Sequence, residues 1–93
     1  MITLDSKVRR NAQVVVRELS PGEGGVLLHL ETAQYHGVNP VGLLIWEALE
    51  DEATVREVVE RVRARVKGAP PQLENDVIGF LSRVHDRDLV VID

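Results

Sequence analysis

Apolar residues alternate with a period near two up to Val38 and recur every three or four residues from Pro40 onward, so the chain divides into a strand-forming half and a helix-forming half. Gln13–Leu19 (QVVVREL) is rich in β-branched residues and predicts a first strand. Ser20-Pro21-Gly22-Glu23-Gly24-Gly25 then supplies a fixed φ and several glycines, which predicts a turn. Val26–Leu30 is a second strand, with Val26, Leu28 and Leu30 on one face and Leu27 and His29 on the other. After the short polar segment 31–33, Gln34–Val38 forms a third strand, antiparallel to the second. None of these connections is long enough for a crossover, so the strands make a meander with the third at an edge.

Asn39 suits a helix N-cap and Pro40 the first helical position, so the Asn-Pro step both ends the third strand and starts a helix running to about Glu50. Its expected buried stripe is Val41, Leu44, Ile45, Ala48 and Leu49, with Trp46 toward the flank. Thr54 and Glu57 form a capping-box pattern that opens a second helix, whose apolar face is Val55, Val58, Val59, Val62 and Val66. Lys67-Gly68-Ala69-Pro70-Pro71 ends it. A third helix spans roughly Gln72 to Arg87, and its apolar arc of Leu73, Val77, Ile78, Phe80, Leu81 and Val84 is wider than one contact with a small core requires. Part of that arc is therefore expected to face something else. Leu89–Ile92 closes the chain as a short strand or extended tail.

At 93 residues the chain is read as a single domain, residues 1–93, with strands over about 13–38 and helices over about 40–87. Only 3% of residues are aromatic, which leaves no platform for stacking bases, and the net charge of −4 opposes a phosphate backbone. The absence of cysteine excludes disulfides and thiolate chemistry, and no apolar run approaches the ~20 residues of a membrane span. A cytoplasmic protein with no membrane partner is expected. His29, His36 and His85 share no metal-ligand spacing, Ser6, Ser20 and Ser82 sit in no nucleophile motif, and the glycines at 22, 24 and 25 lead into a strand rather than a helix. The expectation is a protein that is not an enzyme and uses no cofactor and no metal.

The third strand carries the candidate chemistry. Edge strands are commonly blunted by Lys, Pro or a bulge, yet Gln34, Tyr35, His36, Gly37 and Val38 include no such device, and Gly37 has no side chain to hold off another backbone. Val77, Phe80 and Val84 of the third helix are expected to line an apolar trough toward this strand, with Asp76, Arg83 and Arg87 on its rim. The same residues also admit plainer roles: Tyr35 packing on the first helix, His36 as an exposed strand histidine, Gly37 making room for a helix, and the rim charges as solvated groups.

The spacing Leu30-x-Thr32-x-x-Tyr35-x-Gly37-Val38-Asn39-x-Val41-Gly42-x-x-Ile45-Trp46, with the Thr54-Val55-x-x-Val58-Val59 and Asp76-Val77-x-x-Phe80-Leu81-x-x-Val84 helices, resembles the PqqD-like proteins, also called RiPP recognition elements. The resemblance covers about residues 13–92. It implies an α+β, winged helix-turn-helix-like fold in which a three-stranded antiparallel sheet packs on three helices. It further implies a binding module for the leader segment of a ribosomally made precursor peptide, added as a strand beside the third strand and lying against the third helix. The implied partners are that precursor and a leader peptidase, cyclase or other modification enzyme, and a free-standing chain of this length is most similar to the recognition proteins of lasso-peptide pathways. A DNA-binding winged helix is the alternative, disfavoured by Glu74, Asp76, Asp86 and Asp88 on the third helix and just beyond it.

Overall fold

A computed structural model describes residues 2–93. The order of elements is β1 (Lys7–Arg10), β2 (Val14–Glu18), β3 (Gly25–His29), β4 (Gln34–Val38), α1 (Pro40–Ala48), β5 (Ala53–Thr54), α2 (Val55–Arg65), α3 (Leu73–Asp86) and β6 (Val90–Ile92). The fold is α+β, three helices with two three-stranded antiparallel sheets, ordered β2-β3-β4 and β5-β1-β6. The meander and its edge strand lie where the alternation predicts. The second sheet does not follow from the pattern: Lys7–Arg10 (KVRR) contains one apolar residue, and β5 is two residues long. It forms because Val8 is fully buried between Ala53 and Ile92, its partners on either side. The C-terminal strand β6 pairs with β1, away from β4.

The capping signals fold as their chemistry requires. Asn39 accepts a hydrogen bond from the Gly42 amide at 2.7 Å with Pro40 in the first turn of α1. Thr54 and Glu57 close a reciprocal capping box on α2, which holds the Glu57 carboxyl below its usual range, first through the Thr54 backbone N–H and then through the Thr54 hydroxyl. The stripe expected on α1 is rotated. Val41 is exposed and Leu44 half-buried, whereas Leu43 and Trp46 are buried, Trp46 to 1% exposure. Seven of the nine residues of α1 are apolar or glycine beyond its proline, so its own periodicity cannot choose a face. Tertiary contacts choose: the Arg10 guanidinium lies 5.1 Å above the Trp46 ring and donates to the Trp46 carbonyl at 2.6 Å, covering what would otherwise be a flank.

Most of the wide arc of α3 is absorbed within the chain, and Phe80 and Val84 also border a groove beside β4. Leu73, Val77, Leu81 and Val84 join one core with Val8, Ala53, Leu89 and Val90, because the second sheet covers a side that the sequence pattern left without a partner. Past α3, the Asp88 amide donates to the His85 carbonyl at 3.0 Å and the Leu89 amide to the Val84 carbonyl at 2.9 Å, with Asp88 at φ 62°. This is a Schellman end with Asp in the left-handed position, and it turns Leu89 back beneath Val84. None of the helices among the described residues is long and apolar enough to cross a membrane.

Candidate functional site

A groove of about 370 Å³ lies between β4 and the C-terminal half of α3, lined by backbone and side chains of Tyr35 to Asn39 and by Phe80, Arg83, Val84, Arg87 and Leu89. A second hollow of about 310 Å³ continues it past Asn39, Phe80 and Arg83 to Asn75 and Asp76. Two contacts fix the helix direction. Arg87 donates from Nη1 to His36 Nδ1 at 3.4 Å, and Phe80 lies against Gly42, one turn beyond Asn39. Helix α3 therefore runs antiparallel to β4 along the groove. From Asn75 to Arg87 it presents about 18 Å at ~1.5 Å per residue, the reach of roughly five residues of extended chain.

The ladder determines which backbone groups of β4 are free. Between β2 and β3, the Leu30 amide donates to the Gln13 carbonyl and the Leu19 amide to the Gly24 carbonyl, so hydrogen-bonded pairs fall on Val15 with Leu28 and Arg17 with Val26. Alternation then turns the N–H and C=O groups of Gly25, Leu27 and His29 toward β4, where they meet Val38, His36 and Gln34. The N–H and C=O groups of Tyr35 and Gly37 point the other way, to the open edge. A Cβ placed on Gly37 would meet nothing within 4 Å, so this glycine makes no room for a helix and leaves the edge bare.

The sequence-predicted residues are distributed unevenly. Tyr35, His36, Gly37, Val38, Phe80, Arg83, Val84 and Arg87 meet at the groove, while Asp76 borders the adjoining hollow. Gln34 lies at the start of β4 outside it. Val77 is fully buried and forms no part of the trough wall: it points from α3 into the core. Tyr35 does not pack on α1. Its side chain is 72% exposed on the outer sheet face beside Val15 and Leu28, leaving only its backbone for the edge. His36 is half-buried rather than exposed, on the inner face toward α3. Its Nδ1 accepts from Arg87, which assigns its proton to Nε2, a buried atom without a partner. Burial first, then the Arg87 charge, pushes the His36 pKa down.

Leu89 and Asn39 complete the lining and were not among the predicted site residues. Asn39 was legible only as a cap, and Leu89 only as part of a tail. Below the groove His29, 2% exposed, accepts the Glu31 amide at Nδ1 (3.2 Å) and so donates from Nε2 to Asp88 at 3.3 Å. The Asn11 side-chain amide donates to the Asp88 carbonyl at 2.8 Å. These bonds tie the β2-β3-β4 sheet to the end of α3 and so fix the groove's two walls relative to each other.

The sequence model of the family described as coenzyme PQQ synthesis protein D (PqqD) matches residues 24–90. The chain belongs to the PqqD family. The matched span runs from the β2–β3 turn to the start of β6, and so includes both walls of the groove. Among solved structures, TbiB1 in complex with the TbiA(beta) leader peptide is similar at 30% identity and a TM-score of 0.72, over 88% of this chain and 93% of that one. A lasso peptide synthetase B1 complexed with its leader peptide shares the fold at 18% identity and a TM-score of 0.70, over 90% of this chain and 96% of that one. No curated protein sequence matches. This PqqD-family chain shows no grouping of three or more His, Asp or Glu side chains suited to a metal among its described residues.

Proposed function

We propose that this chain binds the leader segment of a ribosomally synthesised precursor peptide by strand addition to β4 and delivers it to a processing enzyme. The leader extends antiparallel to β4, exchanging hydrogen bonds with Tyr35 and Gly37, and lays alternate side chains on Phe80, Val84 and Leu89. Main-chain bonds supply affinity that any sequence could share, and the helix-side pockets supply selectivity. The observation that carries this reading is the pairing of a bare edge with a facing groove of matching length, floored by Phe80, Val84 and Leu89. The leader-peptide complex of TbiB1, at 30% identity over most of both chains, supports the choice of ligand. The enzyme that receives the leader is a leader peptidase or a cyclase, and this chain acts as a carrier without chemistry of its own. No observation on α3 favours a DNA-binding role.

The test is an anisotropy titration with the labelled leader of the precursor encoded beside this chain's gene. Saturable binding with Kd at or below about 10 μM is expected. Absence of saturation at several times that concentration overturns the proposal.

A further inference from the structure

Arg83 and Arg87 stand one helical turn apart on the groove wall facing β4, and neither forms an ion pair among the described residues. The other helical arginines behave differently: Arg56, Arg61, Arg63 and Arg65 all lie within 4.0 Å of a carboxylate. The acids near the end of α3 are turned away, Asp86 to a hollow beside Ser6 and Ile92, Asp88 to His29. On a molecule of net charge −4, the groove thus holds a local cationic wall, and Asp76, in the adjoining hollow, forms no ion pair with it. Arg87 makes one weak contact instead, to a histidine nitrogen.

We propose that the strand added to β4 carries carboxylates at two alternate helix-facing positions, i and i+2, which pair with Arg83 and Arg87. This rests on the strand-addition reading above. The spacing is the argument. Four residues of helix advance about 6 Å, and two residues of strand about 6.7 Å, so two side chains on one face of an extended segment keep step with two arginines one turn apart. Because α3 and β4 are antiparallel, a segment antiparallel to β4 runs in the direction of α3, and its earlier acid meets Arg83. Guanidinium and carboxylate form short, charge-assisted bonds, which fix register along an edge whose main-chain bonds alone would permit slippage by two residues.

Display selection tests this with random twelve-residue linear peptides panned on the wild-type chain, on the R83E/R87E double variant and on Gly37→Pro. Both arginines are exposed, so the double variant keeps the fold, checked by its thermal melt. The wild type is expected to enrich segments with Asp or Glu at i and i+2, the double variant to enrich Lys or Arg at those positions with the neighbouring apolar positions retained, and Gly37→Pro to enrich neither. Replacing either acid of an enriched peptide by its amide is expected to weaken binding about three- to ten-fold, less at 0.5 M NaCl. Enriched peptides that need Gly37 but show no acid bias overturn this inference and leave strand addition standing; the arginines would then serve the strand's carbonyls. Failure to enrich any peptide that depends on Gly37 overturns the strand-addition reading itself.

Discussion

Gly24 is held at φ 85°, and a Cβ there would stand 2.1 Å from the Val38 carbonyl oxygen, whereas Gly22 at φ 83° has open space around it. The two glycines of one turn therefore separate two costs. Gly22→Ala is expected to lose about 1 kcal/mol of stability through its backbone alone, and Gly24→Ala at least ~3 kcal/mol, because the turn must back away from the end of β4. Urea unfolding of both variants checks the difference. A second residue-scale expectation concerns His36. Its folded pKa lies below the unfolded value of about 6.5, so its contribution to stability is present above that pH and is lost as pH falls through the folded pKa. Denaturation at pH 7.5 and pH 5 should show a loss that His36→Gln reduces; an identical loss in the variant would contradict the placement of this ring between β4 and Arg87.

At the scale of elements, the alternation of hydrogen bonds along β4 makes neighbouring prolines opposite in effect. Val38 directs its N–H to Gly25, so Val38→Pro breaks the sheet at a cost of about 2–3 kcal/mol. Gly37 directs its N–H outward, so Gly37→Pro should leave stability within about 1 kcal/mol of the parent and weaken leader binding at least ten-fold. Unfolding and anisotropy measured on both variants check the pair. Much of this element-level design is legible in the sequence. The strand meander, the Asn39 and Thr54 caps and the apolar face of α2 each follow from a local rule that tertiary contacts did not override. The wide arc of α3 does leave Phe80 and Val84 on the groove, but more of it is covered than its pattern suggests: β6 packs on α3, held there by pairing with β1, whose KVRR has one buried residue, below what periodicity can register. The face of α1 was misassigned for the reverse reason, since a nearly all-apolar helix leaves the decision to Arg10, thirty-six positions away. Within the groove, the edge and its facing helix were readable, but the inward turn of Val77 and the arrival of Leu89 depend on the second sheet and the Schellman turn.

For the molecule as a whole, the two sheets divide the work. The β5-β1-β6 sheet takes up β1 and β6 and closes the core, so among the described residues neither of these strands covers β4. The β2-β3-β4 sheet has β2 and β4 at its edges, and among the described residues β4 is the one that faces a helix across a groove. The proposed guest strand therefore takes one edge of two and two amides of that edge. Hydrogen exchange resolved to single amides, with and without the saturating leader peptide, tests this most directly. The Tyr35 and Gly37 amides should exchange fast in the free chain and become protected on binding, while His36 and Val38, already paired to β3, are slow throughout. Protection appearing at Val16 and Glu18 on β2, or nowhere on β4, would contradict the account.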